Sequence, residues 1–255
     1  IMEWGGEQIP DWVFRAGAES ITCGGWRIPK YWDAVFLDKL ENFVQALAAR
    51  YDNDPRVEWI QIGTGIYGEN QPSVDDHDAC FEAAIAQDFP GVDPVGIWVG
   101  SVKLITEIYA EAFDNKAVLV QYAPTFKHPC ERKYITDYAA QLGVGVKHNG
   151  LRWDDDPAII VPPHSQAGCG QWDPMIAHWE EVPVAWETYR SVYLTTDLLE
   201  YWGLINGLDK HPDYFNLASG LITETGDLDV VRFVNQHAGA TLQNTPSVWV
   251  AMRET

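Results

Sequence analysis

Apolar and polar positions along the chain follow two alternating spacings, one typical of helices and the other of buried strands. In YWDAVFLDKLENFVQALAARYDNDP, residues 31–55, apolar side chains recur three or four positions apart, which predicts a long helix that ends before Asp54-Pro55. The next segment, VEWIQIG, is a nearly continuous apolar run, as expected for a strand buried on both faces. The sequence therefore predicts a helix followed by a buried strand.

The same alternation continues through the rest of the chain. Helices are predicted at 95–113, in CERKYITDYAAQLG, at 175–181, in TTDLLEYWGLINGLD and at 228–238. Strands are predicted in IMEWGG, AVLVQYAP, VGVKHNGL, VPVAWETYR, YFNLASGLI and the tail SVWVAMRET. The segment 152–170, rich in proline and aspartate, is predicted to be a long loop. Repeated strand–helix units predict a parallel sheet covered by helices.

Two architectures contain such a sheet, a closed barrel and an open doubly wound sheet. No GxGxxG or Walker loop follows a predicted strand, which disfavours a nucleotide-binding open sheet. The longest polar connections follow strands, where barrels build their active sites. We therefore expect an α/β fold, a (β/α)8 TIM barrel over 1–245 whose first strands, about two of the eight, are missing from this chain. Residues 246–255 would then begin an appended β-sandwich.

Composition excludes some partners. The net charge of −20 and the lack of a basic patch argue against nucleic acid binding. No apolar run approaches the ~20 residues of a membrane helix, so no membrane partner is expected. The twelve tryptophans are consistent with core packing and equally with sugar stacking. The four cysteines lack zinc-site spacing and leave disulfides and free thiols both open, with Cys130 and Cys169 as the pair to examine.

Two glutamates follow or end predicted strands and are the candidate catalytic residues. Glu69 comes after IQIGTGIYG, and Glu187 lies in PVAWETYR. Strand ends of a barrel share one mouth, and glycoside hydrolysis requires a pair of carboxylates there, one as acid and one as nucleophile or base. The alternative is that either glutamate forms an ordinary ion pair, for example Glu187 with Arg190.

The segment from IPDWVF through GGWRIPKYWDAVFLDKLENFVQALAARYDNDPRVEWIQIG to YGE resembles clan A glycoside hydrolases, and most of all the family-42-type β-galactosidases. The resemblance covers 9–69 well. It implies that IMEW is strand three, VEWIQIG strand four and VPVAWE strand seven of the barrel. It also implies a retaining enzyme with Glu69 as acid/base and Glu187 as nucleophile. The family has Asn before its acid/base glutamate, whereas Gly68 precedes Glu69 here.

Polar and aromatic residues near these strand ends are the candidate substrate-binding residues. They are Trp4, Tyr67, Asn70, His148, Asn149, Trp153 and Trp186. The chain has no GxSxG serine elbow and no HExxH or HxH metal pair. Because two carboxylates would supply both the proton and the nucleophile, we expect no metal and no organic cofactor.

Together these observations predict a hydrolase that cleaves a β-glycosidic bond in an oligosaccharide or polysaccharide. The alternative is a non-catalytic carbohydrate-binding barrel that has lost its acid/base. A substrate of this class and the cysteine count favour an extracellular or periplasmic location, and they leave a cytoplasmic one open.

Overall fold

The structure is a computed structural model that describes residues 6–74, 78–151, 169–188, 196–208, 211–217, 231–232 and 235–236. The chain divides into two compact units, 1–145 and 146–255, with the boundary at the start of a strand. Several predicted elements lie outside the described residues, namely the strand IMEWGG, the loop 152–168, most of the helix 228–238 and the tail 246–255.

The first unit contains four strands, five α-helices and two 3-10 helices in its described residues. The 3-10 helices are Gly6–Gln8 and Ile66–Gly68. The helices are α1 (Asp11–Arg15), α2 (Ala34–Tyr51), α3 (Asp78–Asp88), α4 (Pro94–Ala112) and α5 (Glu131–Gln141). The strands are β1 (Ser20–Cys23), β2 (Trp26–Pro29), β3 (Trp59–Ile62) and β4 (Ala117–Gln121).

Two long helices of this unit begin at aspartate caps. Asp33 accepts a hydrogen bond from the Phe36 N–H at 2.8 Å, and Asp93 accepts one from the Val95 N–H at 3.1 Å. Each carboxylate thereby satisfies a backbone donor that the first helical turn leaves unpaired. Strands β3 and β4 pair in parallel, with Trp59 opposite Ala117. Both strands coincide with apolar runs from which they were predicted, WIQI for β3 and AVLVQ for β4.

An antiparallel hairpin precedes α2, and the sequence reading missed it. Strands β1 and β2 pair from Ser20–Pro29 to Cys23–Trp26. The turn between them is Gly24-Gly25, and both glycines have positive φ, 58° and 84°. A two-residue turn with two positive φ values suits the twist of a hairpin, and Gly-Gly is one of its sequence signals. That signal was present in CGGW.

The second unit contains three strands and two helices in its described residues. They are β5 (Gly145–Leu151), α6 (Asp173–His178), β6 (Val184–Thr188), α7 (Asp197–Leu208) and β7 (Tyr214–Asn216). Strand β6 lies between the other two and pairs with both in parallel. All five elements fall where the apolar periodicity predicted an element of the same type.

The predicted (β/α)8 TIM barrel is wrong. The described part of the chain has five parallel strands, β3 and β4 in the first unit and β5, β6 and β7 in the second, together with the antiparallel hairpin. A barrel of this class needs eight parallel strands. Strand–helix alternation predicts parallel pairing, but closure depends on strand number, tilt and stagger, which the alternation does not contain.

None of the four cysteines is a free thiol. Cys23 at the end of β1 forms a disulfide with Cys80 in α3 and so ties the hairpin to that helix. Cys130 and Cys169 are disulfide-bonded as well. No described helix has the length and apolar composition needed to cross a membrane.

Candidate functional site

In the second unit, the register of the three parallel strands brings polar residues to one face. Lys147 on β5 is paired with Ala185 on β6, and Glu187, two residues further along β6, is paired with Asn216 on β7. Paired positions in parallel strands point to the same side, and so do positions two apart on one strand. Lys147, Glu187 and Asn216 therefore share a face.

An ion pair joins two of these residues. The Lys147 ammonium donates a hydrogen bond to Oε2 of Glu187. The Lys147 side chain is fully buried, whereas the Glu187 side chain is 38% exposed. A buried ammonium requires a counter-charge, because removing an ion from water costs far more than the burial of its stem returns. Glu187 supplies that charge and still presents part of its carboxylate to solvent.

Two asparagines occupy strand positions next to Glu187. Asn216 is its register partner on β7, and Asn149 lies where the pairing of β5 with β6 shifts, between His148 and Leu151. Both asparagines are half-buried. Irregularities of this kind are frequent beside functional sites, because they redirect a side chain from the regular alternation. Sequence reasoning missed Asn216, since YFN reads as an ordinary short strand and only the register places it beside Glu187.

The opposite face of the same strands is aromatic. His148 and Trp186 are paired in register, and their rings lie 5.3 Å apart. Trp172 contacts both, with ring centroids 4.5 Å from His148 and 4.4 Å from Trp186. All three residues are buried, and Trp186 has no exposed surface. In this structure Trp186 and His148, both predicted to bind substrate, pack in the core of the second unit.

In the first unit, Glu69 lies in the glycine-rich segment that follows β3. The backbone N–H groups of Gly65 and Ile66 donate to the carbonyls of Glu69 and Gln71, at 2.8 and 2.9 Å. The half-buried Glu69 carboxylate accepts a hydrogen bond from the Gln71 amide at 3.1 Å. The segment thus folds back on itself and fixes the backbone around Glu69.

The close approach of these backbones explains why glycine is present. A Cβ on Gly65 would lie 1.8 Å from the Gln71 carbonyl oxygen, and one on Gly63 would lie 2.9 Å from the Gly68 Cα. No side chain fits at such distances. The glycines after VEWIQI therefore serve the packing of the segment that carries Glu69.

Two further candidates lie on the same segment and differ in exposure. Tyr67 is 53% exposed and has a φ of 59°, in the left-handed region. Asn70 is fully buried, and its amide donates to the Tyr122 carbonyl at 3.5 Å. Tyr67 is therefore open to a ligand in this structure, whereas Asn70 belongs to the interior.

The first unit also contains a cavity of about 170 Å³ between the hairpin and α3. Lys30, Trp32 and Asp88 lie in its wall. Lys30 contacts the carboxylates of Glu19 and Asp88 at 2.6 and 2.8 Å, and the Trp32 indole N–H donates to Asp88 at 2.9 Å. Because these polar groups hydrogen-bond to each other, they leave little hydrogen-bonding capacity for a ligand in the cavity.

Two predicted binding residues, Trp4 and Trp153, lie outside the described residues. The two candidate catalytic residues lie in different units, Glu69 in the first and Glu187 in the second. Among the described residues, no group of three or more His, Cys, Asp or Glu side chains is arranged to hold a metal ion.

Comparison with known proteins adds no family. No protein-family model matches this chain, and no curated protein sequence does either. The resemblance of 9–69 to clan A glycoside hydrolases therefore stays a prediction.

Proposed function

We propose that this protein is a glycoside hydrolase that cleaves a β-glycosidic bond with retention of configuration and uses Glu187 as its nucleophile. The observation that carries the proposal is the ion pair in the second unit, in which buried Lys147 holds one carboxylate oxygen of a partly exposed Glu187. A nucleophilic carboxylate must be ionised, fixed in place and reachable by substrate. An anchored oxygen together with solvent exposure meets these needs.

The reaction would proceed in two steps. A carboxylate oxygen of Glu187 attacks the anomeric carbon, the bond to the leaving oxygen breaks, and that oxygen takes a proton from a second carboxylic acid. Water then attacks the same carbon, gives a proton back to that second carboxylate and releases the Glu187 carboxylate. Asn149 and Asn216 would bind sugar hydroxyls beside the nucleophile. The two carboxylates supply all the chemistry, so the proposal includes no cofactor.

The acid/base role of Glu69 rests on the resemblance. Its position in a glycine-rich segment fixed by backbone hydrogen bonds supports a defined placement of the carboxylate. The proposed partner is an oligosaccharide or polysaccharide. An oxidising location, extracellular or periplasmic, belongs to the proposal and is supported by the disulfides.

A non-catalytic carbohydrate-binding protein is the second candidate. Gly68 stands where clan A enzymes have an asparagine, and the neighbouring Asn70 is buried rather than available to a sugar hydroxyl. Both facts favour a protein that binds glycan without an effective acid.

The test is hydrolysis of activated aryl β-glycosides by the wild-type chain and by Glu187→Gln, Glu187→Ala and Glu180→Ala. Glu180 is an exposed glutamate of the same unit and serves as the matched control. We expect both Glu187 variants to lose activity by at least about 10⁴-fold. Azide should restore turnover of Glu187→Ala and give a glycosyl azide of inverted configuration, because azide takes the place of the nucleophile.

Wild-type hydrolysis that persists in Glu187→Gln would refute the role of Glu187. If the wild-type chain binds glycans but hydrolyses none of the glycosides, the second candidate is correct. Circular dichroism of each variant shows whether a loss of activity reflects a loss of fold.

A further inference from the structure

Two exposed aromatic side chains of the first unit contact each other, and one of them, Tyr67, lies two residues before Glu69 in the chain. Trp26 and Tyr67 have ring centroids 6.2 Å apart and ring planes at 80°. Both side chains are exposed, although indole and phenol rings have some of the largest apolar surfaces among side chains. The edge-to-face contact is itself favourable, but both rings still expose apolar surface to water, and a ligand that covers this surface would gain from it.

Each ring is held by a rigid support. Trp26 follows the Gly24-Gly25 turn directly, and the disulfide between Cys23 and Cys80 fixes this end of the hairpin to α3. Tyr67 stands on the segment in which Gly65 packs against the Gln71 carbonyl. The supports come from different parts of the sequence and meet at the aromatic pair.

The backbone at Tyr67 is strained. A bulky residue with a φ of 59° occupies a region that only glycine and asparagine visit readily, and such strain persists only where the surrounding structure imposes it. Burial of the side chain does not offset the strain, because Tyr67 is exposed. Backbone strain at an exposed aromatic residue points to a function of the side chain rather than to packing.

The shape and charge of the surroundings indicate the ligand. Two perpendicular rings form a corner in which a saturated sugar ring can place its C–H face on one aromatic face and its edge against the other. The carboxylate of Glu69, two residues from Tyr67, can accept hydrogen bonds from hydroxyl groups. The net charge of −20 disfavours an anionic ligand. A neutral sugar unit has all of these properties.

We propose that Trp26 and Tyr67 form a stacking subsite for one pyranose unit of a neutral glycan. The inference rests on the proposed function only in that the bound glycan is also the substrate. The binding residues predicted from the sequence include Tyr67, and the structure shows that Trp26 contacts it.

The test is calorimetric titration of the full chain, as Glu187→Gln to prevent turnover, with neutral β-linked gluco-, xylo-, manno- and galacto-oligosaccharides. We expect Trp26→Ala and Tyr67→Ala each to weaken binding at least about tenfold, which corresponds to about 1.4 kcal/mol. Trp12→Ala, which removes another exposed indole of the same unit, should leave the affinity unchanged. An oligosaccharide of uronic acids should bind more weakly than its neutral counterpart.

A second measurement needs no variant. N-bromosuccinimide oxidises exposed indoles, and peptide mass spectrometry reports the extent at each tryptophan. Bound glycan should protect Trp26 and leave Trp12 reactive. Equal oxidation of Trp26 with and without glycan, or unchanged affinity of both alanine variants, overturns the subsite. So does a chain that binds no neutral oligosaccharide and instead self-associates through Trp26 with rising concentration.

The outcomes separate the two proposals. Binding that depends on Trp26 in a wild-type chain without hydrolytic activity supports the subsite and refutes the hydrolase. Hydrolysis by the wild-type chain that Trp26→Ala and Tyr67→Ala leave unchanged supports the hydrolase and refutes the subsite.

Discussion

At the scale of single residues, Lys147 and Glu187 depend on each other unequally. The lysine ammonium is buried, whereas the glutamate carboxylate still reaches solvent. Loss of the glutamate therefore leaves a charge inside the protein, while loss of the lysine leaves a charge that water can partly solvate. The two single substitutions should differ in their effect on stability for this reason.

We predict that Glu187→Ala lowers the free energy of unfolding by about 2 kcal/mol. The usual loss for breaking a buried pair is about 3–5 kcal/mol, and the partial exposure of Glu187 reduces it. Lys147→Met should cost less, and the double variant Lys147→Met/Glu187→Gln should cost less than the sum of its single changes. Urea unfolding of the set measures these values, with Glu180→Ala as a surface control. Additive losses would show that the pair is not coupled.

The sequence predicted Glu187 as a candidate but not its partner. VPVAWE shows a carboxylate near the end of a strand, which is a local property of the sequence. Its ion pair with Lys147 depends on the register between β5 and β6, whereas Arg190, the partner that sequence proximity suggested, lies outside the described residues. Register depends on contacts between segments far apart in the chain, and a single sequence does not display it.

At the scale of elements, Asp52 connects the end of α2 to the start of β4. Its carboxylate accepts hydrogen bonds from the backbone N–H groups of Asn115 and Lys116, both at 3.0 Å, and from the Asn115 amide at 2.7 Å. Burial acts to raise the pKa of Asp52, but these hydrogen bonds outweigh it and hold the pKa below its ordinary value. Asp52 therefore stabilises the folded state in its ionised form.

We predict that Asp52→Asn lowers the free energy of unfolding by about 2 kcal/mol at neutral pH, the typical value of hydrogen bonds to a charged group. A lowered pKa in the folded state means that the stabilisation is full above the unfolded value of about 3.9 and is lost as pH falls through the folded value. The difference between wild type and variant should therefore shrink on acidification. Urea titrations across this pH range test it, and a difference that grows toward acid would contradict the assignment.

Periodicity predicted the long elements and missed the short ones. α2 and α4 are long enough for their apolar stripes to repeat, so their positions were predicted within a few residues. The hairpin strands β1 and β2 have four residues each, too few for a pattern to stand out. α3 was missed because its sequence DACFEAAIAQD contains mostly small residues, with only Phe81 and Ile85 fully buried. Short elements owe their stability to tertiary contacts and the disulfide more than to local pattern.

At the scale of the whole molecule, the excess of negative charge opposes compaction. The chain has 37 acidic and 17 basic residues among 255. Like charges repel more strongly when folding brings them together, and salt screens that repulsion. A strongly acidic chain should therefore be most stable at moderate ionic strength.

We predict that the melting temperature rises by a few degrees when sodium chloride increases from about 0.01 M to about 0.5 M, a range over which the Debye length falls from about 30 Å to well below 10 Å. Differential scanning calorimetry measures the shift, and an uncharged osmolyte at matched osmolality controls for solvent exclusion. A melting temperature that falls with salt would mean that attractive ion pairs, such as Lys30 with Glu19 and Asp88, outweigh the repulsion.

The wrong barrel prediction belongs to this scale as well. Strand–helix alternation predicts that a strand pairs in parallel with the next strand along the chain. Such pairs are present in both compact units. The number of strands and the closure of a sheet are properties of the whole chain, and the six strand-like segments before the tail do not determine them.

In the segment after β3, some positions tolerate substitution and others do not. Backbone contacts at Gly63 and Gly65 admit no side chain, whereas Tyr67 points its ring into solvent from the same few residues. Residue 67 can therefore be substituted during evolution while the backbone around it stays the same. Asparagine and glycine would be accommodated there with the least strain, since they adopt a left-handed backbone readily. The ligand preference of the proposed subsite is thus open to divergence, or to laboratory selection, through one codon.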